Sequence, residues 1–306
     1  MARILVTIVT FNARPWIDKC LSSLSGSGTP VDILVVDNAS TDGTADYIHD
    51  FYPDVEMVET GANKGFGAAN NIGFRRMLDE GYDFVYLLNQ DAWIGKDTLK
   101  LLLDNWKDGF GILSPVQTSA NGKMDKQFSK KCSKYLKEAG KGLDGAKHVV
   151  EVPFVMAAHW LVSRQAVETV GGFSPAFSQY GEDDNYIDRL HHFGLKVGIV
   201  PDARAVHDRG GRDKAPKGLS REERKAFRKA SRERRMHLKC ISTVVKFSNP
   251  ANSPFGRIFL EPLVLLGMTV KNFSSVPVKY IPTLVKRYPE LIRLRRASLK
   301  GRAFLD

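Results

Sequence analysis

Over the first hundred residues the hydrophobic positions follow two alternating rhythms. Near-continuous apolar runs at 4–9, 31–36, 55–58 and 83–88 predict short strands buried on both faces. Between them, apolar residues recur every three or four positions. Pro15 suits the first turn of a helix that carries Trp16, Ile17, Cys20, Leu21 and Leu24 on one face. Further helices are predicted over 45–51, 68–79 and 97–106, the last with Leu99, Leu102, Leu103 and Trp106 inward. Strand–helix alternation of this kind predicts a mostly parallel central sheet with helices on both faces, a Rossmann-like α/β fold.

Ligands of such sheets bind beyond the carboxyl ends of the strands. The polar clusters Asp37-Asn38 and Asn89-Gln90-Asp91 fall at those ends. Residues 117–147 break the rhythm with eight lysines, three acidic residues and several glycines. They predict a long exposed loop or short helical excursion able to serve as a mobile lid. Order returns over 149–157, a helix at 164–170, the Gly171-Gly172-Phe173 turn, a helix at 182–193 and a strand at 196–200. A basic helical pattern occupies 219–240, and shorter helices broken at Pro254, Pro262, Pro277, Pro282 and Pro289 follow. This change in character puts the boundary near 215, giving an α/β domain over 1–215 and a helical extension over 216–306.

Charge sharpens that division. The 306-residue chain has a formal net charge of +11. Residues 1–210 hold 22 Lys and Arg against 27 Asp and Glu, whereas 211–306 hold 23 against 7. This argues against a uniformly basic nucleic-acid-binding domain, and since 211–306 carries no RNA-binding or helix-turn-helix signature, no nucleic-acid partner is expected. The longest apolar stretch, 258–270, is interrupted by Glu261 and Pro262. It falls short of the roughly 18 residues that cross a bilayer but is long enough to lie on one. Met1-Ala2-Arg3 runs directly into the first strand, so no export signal is expected. Cys20, Cys132 and Cys240 are far apart with no CxxC, which indicates neither a disulfide framework nor a zinc ribbon. A reducing, cytoplasmic setting follows.

Each candidate for chemistry has a plainer alternative. Asp37, Asn38 and Asp42 can build a turn and cap a helix, or Asp37 can face a ligand. The stretch Asn63-Lys64-Gly65-Phe66-Gly67-Ala68-Ala69-Asn70-Asn71 can receive phosphate at a helix N-terminus, or be a glycine-permitted turn. Asp91 suits a hard divalent ion whose other ligands come from a diphosphate, or the cap of the next helix. Glu182-Asp183-Asp184 favours the helix dipole, or supplies a carboxylate that takes a proton from a hydroxyl. His207 is a metal or phosphate ligand, or a structural histidine. No GxSxG occurs and no cysteine has an evident partner, so a Ser/His/Asp or Cys/His hydrolase is not supported.

The order of these pieces, from Val6 to Gly211, closely resembles the family 2 glycosyltransferases, inverting enzymes of the GT-A fold. The matching segments are Val9-Thr10-Phe11-Asn12, Val36 to Gly43, Asn63 to Gly67, Leu87 to Ala92, Gly171-Gly172-Phe173 and Tyr180-Gly181-Glu182-Asp183, with Arg189 and His207 in their expected places. The resemblance implies that Thr10, Phe11 and Asn12 border the nucleotide base and that Asp37 hydrogen-bonds it. Asn38, Asn63, Lys64, Gly65, Asn70, Asn89 and Gln90 would complete the nucleotide-sugar site. Asp91, with His207, would hold Mg²⁺ or Mn²⁺.

By the same resemblance Asp183 would be the general base, with Glu182 the second catalytic candidate and Trp160, Tyr180 and Asp184 on the acceptor side. The Asn-x-Asp form looks most like bacterial rhamnosyltransferase-type members. The implied donor is dTDP-rhamnose or a UDP-sugar, and the implied acceptor a glycan or lipid-linked glycan. Inverting transfer is one in-line displacement, so one carboxylate opposite the leaving group suffices, and a divalent ion neutralises the departing diphosphate. Asn89 replaces the first aspartate of Asp-x-Asp, and Asn185 stands where the family often repeats an acid. Asn89 motivates the alternative of a GT-A module that binds nucleotide or glycan without turnover. The basic C-terminal third suits peripheral attachment to an anionic inner membrane face. Its alternatives are a solvated extension or a contact between copies of the chain.

Overall fold

The computed structural model describes residues 2–140, 149–209 and 218–305. The alternating first part forms β1 (Ile4–Thr10), α1 (Ile17–Ser25), β2 (Asp32–Asp37), α2 (Thr44–Phe51), β3 (Glu56–Glu59), α3 (Phe66–Glu80) and β4 (Phe84–Asn89). Pro15 precedes α1 rather than opening it. There follow β5 (Ala92–Ile94), α4 (Thr98–Asp104), β6 (Phe110–Thr118), α5 (Lys126–Ala139), β7 (Val150–Glu151), β8 (His159–Ser163), α6 (Arg164–Val170), α7 (Glu182–His192) and β9 (Lys196–His207). Three long helices complete the chain: α8 (Arg221–Ser248), α9 (Pro254–Asn272) and α10 (Val276–Ser298).

The sheet runs in the order β3-β2-β1-β4-β8-β6-β9-β5, with β7 paired to β9. Its first four strands are parallel, and their register sets Thr10 opposite Asp37 and Val9 opposite Asn89, so the polar strand ends lie side by side. Beyond β4 the sheet is mixed, because β8 enters antiparallel between β4 and β6. The expectation of a mostly parallel sheet holds for that first half only. Side chains alternate between the two faces: Ile4, Val6 and Ile8 pack toward α1 and α4, while Leu5, Leu34 and Val36 pack toward α3, α6 and α7.

Two expectations are refined. Of the two readings of 117–147 the helical one holds, as a longer element: β6 reaches Thr118, and α5 is capped by Asp125, whose carboxylate accepts from the N–H groups of Gln127 and Phe128. Phe128 and Cys132 are the buried face of α5, with Tyr135 and Leu136 beside them. Residues 141–147 of the expected lid lie outside the described residues, as does the expected domain boundary near 215. Nor do the internal prolines break the C-terminal helices. Pro254 and Pro277 sit in first turns, while Pro262, Pro282 and Pro289 lie inside α9 and α10. Pro262 deprives the Ile258 carbonyl of its helical donor, and the Tyr288 hydroxyl of α10 donates to it instead at 3.0 Å.

The extension is bonded to the α/β part. Cys240, Val244, Phe247, Leu265, Leu284 and Leu291 share one core with Ala176 and Phe177. After α10 the chain returns to the Gly171-Gly172 turn, where Gly172 N–H donates to the Ala303 carbonyl at 2.7 Å. Fully buried Arg189 of α7 donates to the carbonyls of Val170 and Gly172, and its guanidinium lies over the rings of Tyr186 and Phe304. One cation thereby ties α7, the glycine turn and the returning tail together.

Candidate active site

The carboxyl ends of β1, β2 and β4 open into a cavity of about 640 Å³, lined by Phe11, Asn12, Trp16, Asn38, Asn63, Lys64, Gly65, Asn89, Gln90 and Asp91, with Ser178 and Gln179 across from them. Phe11 is held at the wall through its backbone: its N–H donates to Gln90 Oε1 at 2.7 Å, and Gln90 Nε2 donates back to its carbonyl at 3.2 Å. Asn38 fixes the loop before α3, accepting from Lys64 N–H and donating to the Gly65 carbonyl, each at 3.3 Å. Asn63 Oδ1 accepts from Gly65 N–H at 2.9 Å. Gly65 is required here. Its φ is +83°, and a Cβ would collide with the Ser178 carbonyl, so only glycine permits this close approach of the loop before α3 to the 173–181 segment.

Thr10, Asp37 and Asn70 stand behind this lining. Asp37 Oδ1 accepts from the hydroxyls of Thr10 at 2.7 Å and Ser40 at 2.6 Å, and Oδ2 accepts from Ser40 N–H at 2.8 Å. These bonds hold the turn, while Oδ2 keeps an acceptor site beyond the one given to the Ser40 N–H. Asn70 donates to the Phe66 carbonyl of its own helix at 3.0 Å.

The innermost residue of the cavity is Asp91, 1% exposed. Antiparallel pairing of β5 with β9 sets His207 opposite Ala92, which brings His207 Nε2 to 3.5 Å from Asp91 Oδ1. His207 Nδ1 and Asn89 Oδ1 are buried without a hydrogen-bond partner. The strand ends thus carry a carboxylate with an imidazole against it, and the Asn89 amide in the lining of the same cavity. Mg²⁺ or Mn²⁺ needs only one or two such protein ligands when a diphosphate supplies other oxygens, and this donor set fits. Among the described residues no group of three His, Cys, Asp or Glu side chains is close enough to hold a metal without such help. Behind the pair, burial and the adjacent His207 hold His159 neutral, its pKa pushed down to about 3.

Asp183 and Asp184, half-buried in the first turn of α7, line a second cavity of about 530 Å³ with Lys130 and Lys131 of α5, Tyr180, and apolar residues of α8. Burial, and then the Asp184 charge, push the Asp183 carboxyl up to about 7. Glu182 is raised too, chiefly by burial. Its carboxyl is packed inward, 8% exposed, with Oε2 unpartnered, and it lines neither cavity. Tyr180 borders the second cavity in a left-handed conformation, φ +67°, its hydroxyl accepting from Arg234 of α8 at 2.7 Å. Trp160, expected on the acceptor side, is fully buried: it donates to the Val155 carbonyl at 3.2 Å and stacks on Phe173. A β8 residue facing the core cannot touch an acceptor, and that expectation is corrected.

Four lining residues carried no signal we singled out: Ser178, Gln179, Lys130 and Lys131. The two lysines were within reach of sequence reasoning, because Asp125 followed by Phe128, Cys132, Tyr135 and Leu136 is a capped amphipathic helix. Ser178 and Gln179 lie in an irregular segment whose path only the packing reveals.

Residues 5–171 match the family model described as glycosyl transferase family 2. The N-acetylglucosaminyl-diphospho-decaprenol L-rhamnosyltransferase of Mycobacterium tuberculosis is 30% identical over 249 residues, spanning 69% of this chain and 78% of that one. The dTDP-rhamnosyl transferase RfbF of Shigella flexneri is 28% identical over 184 residues, spanning 57% and 59%. Among solved structures, mannosyltransferase PcManGT from Pyrobaculum calidifontis, in complex with GDP-Man and Mn²⁺, superposes with a TM-score of 0.57 at 20% identity over 97% of this chain and 85% of that one. S. aureus TarS 1-349 gives 0.55 at 15% identity over 99% and 90%. These two share the mixed α/β architecture, with helices flanking a central sheet and a C-terminal helical extension, consistent with GT-A.

Proposed function

Because the chain belongs to glycosyl transferase family 2, we propose that it is an inverting enzyme transferring a sugar from a nucleoside-diphosphate donor to a hydroxyl of a glycan or lipid-linked glycan. The observation that carries this reading is the pairing of Asp91 with His207 at the floor of one cavity while Asp183 lines the next. Phe11, Asn12 and Asn38 border the nucleotide, and Lys64 and the loop before α3 lie toward its diphosphate. Asp91 and His207, with the Asn89 amide oxygen, would hold Mg²⁺ or Mn²⁺, which when bound would neutralise charge on the leaving diphosphate. Asp183 accepts the proton of the acceptor hydroxyl as that oxygen attacks the anomeric carbon opposite the leaving group. Glu182, facing the interior, is less suited to that role. The rhamnosyltransferases among the relatives support dTDP-rhamnose as donor, with a UDP-sugar as the other choice.

The test is thermal stability with dTDP, UDP and GDP, each with and without Mn²⁺. One nucleotide is expected to raise the midpoint only when Mn²⁺ is present, by the linkage of binding to folding. No shift with any of them sinks the donor assignment. Detection of transferred sugar would reject a module that binds without turnover.

The raised pKa of Asp183 sets the pH dependence. A base acts deprotonated, so kcat/KM is expected to be level above about 7 and to fall by about tenfold per unit below it. A profile flat down to pH 5 would show that the base ionises as an ordinary aspartate.

A lipid-linked acceptor is met at a membrane surface. The C-terminal third, with 23 Lys and Arg against 7 Asp and Glu, is charged to approach an anionic one.

A further inference from the structure

Helix α9 buries one side and exposes the other. Leu265 is fully buried, and Ile258 and Met268 pack on the core formed with α8 and α10. On the opposite side Phe255, Phe259, Leu263, Leu266, Val270 and, just past the helix, Phe273 are between 45% and 90% exposed. Their spacing of three or four residues draws one apolar stripe about 27 Å long at 1.5 Å per residue. A stripe of this size on a water-facing helix calls for a partner. It does not span a membrane, since among the described residues no helix is long and apolar enough to cross one.

The charge beside the stripe says which partner. Arg232 of α8 donates to the carbonyls of Asn272 at 2.6 Å and Phe273 at 3.4 Å, and Lys239 donates to Asn272 Oδ1 at 3.3 Å. The end of the stripe is thereby fastened to the most basic helix of the chain, whose Arg224, Lys225, Arg228, Lys229 and Arg235 are exposed. We propose that the α9 stripe inserts its aromatic and aliphatic side chains into an anionic lipid surface while the cations of α8 meet the headgroups. An apolar face flanked by basic residues is the form that lies in a bilayer interface. A two-fold contact with parallel stripes would bring two α8 cation clusters together, and an antiparallel one would leave both clusters without counter-charge, whereas an anionic bilayer attracts them. This extends the lipid-linked acceptor of the proposed function, but it can fail while transfer to a soluble glycan stands.

The test is co-sedimentation of the full chain with vesicles of phosphatidylcholine alone or mixed equally with phosphatidylglycerol, at low and high salt. The chain is expected to sediment with the mixed vesicles at low salt and far less with phosphatidylcholine or at high salt. The triple substitution Phe255→Ser, Phe259→Ser, Leu263→Ser is expected to lower partitioning at least about tenfold, with nucleotide binding kept as the sign of a folded chain. A Phe259→Trp chain, changed at one exposed position only, is expected to gain blue-shifted emission on the mixed vesicles. The proposal is overturned if the full chain stays in the supernatant with anionic vesicles at low salt. Equal sedimentation of the triple variant, or unshifted emission from the Phe259→Trp chain, overturns it too. So does a dimer in the absence of lipid that the triple substitution turns to monomer, which makes the stripe a contact between copies.

Discussion

Replacing Asp183 by Asn is expected to lower sugar transfer by at least about a hundredfold while leaving nucleotide binding unchanged, the low end for loss of a positioned general base. The amide keeps the size of the side chain, and its oxygen can still accept the Asp184 N–H that Oδ1 accepts at 2.9 Å. It cannot take a proton at neutral pH. Binding should survive because Asp183 lines the cavity with Lys130 and Lys131, not the one with Asn38, Lys64 and Asp91. Glu182→Gln is the control: a carboxyl packed inward and kept neutral by burial should be replaceable within a few-fold. Measuring kcat/KM and the nucleotide-induced thermal shift for both variants separates the roles. Full activity of Asp183→Asn, or collapse of Glu182→Gln alone, would move the base to the neighbouring residue.

Asp91→Ala is expected to abolish the Mn²⁺-dependent part of nucleotide binding and to lower transfer at least about a hundredfold, since a divalent ion contributes several kcal/mol at a leaving group. The reason is the small number of protein ligands. With Asp91 gone, His207 and the neutral Asn89 oxygen are left, and no third acidic, histidine or cysteine side chain among the described residues stands close enough to replace it. His207→Ala should act in the same direction with a smaller effect, because an imidazole adds a ligand but no negative charge. The measurement is nucleotide affinity in Mn²⁺ and in chelator. If Asp91→Ala binds as tightly as the parent chain in Mn²⁺, the metal is held elsewhere or is not used.

The strand–helix alternation and the polar strand ends were legible along the chain because both are written in short-range order. A run such as Leu34-Val35-Val36 has to be a buried strand, and whatever ends it, here Asp37-Asn38, has to lie at the sheet's edge. The same short-range order hid the continuity of α9, since a proline such as Pro262 reads as a break. Only the distant Tyr288 hydroxyl, supplied by α10, satisfies the carbonyl that the proline strands.

The net charge is the plainest case of the division. From the sequence alone come its uneven distribution, the α/β class of the first two thirds and the order of motifs that marks the family. Tertiary structure alone decides which atoms of those motifs meet. His207 reaches Asp91 through the pairing of β9 with β5, and the Asp37 carboxylate accepts from the Thr10 and Ser40 hydroxyls. Of the three consecutive acids, Asp183 and Asp184 face a cavity while Glu182 faces the core. Periodicity and composition fix what a segment of about ten residues can become, since they act between near neighbours. The partner of a single polar atom depends on register and burial across the whole chain, which no local pattern records.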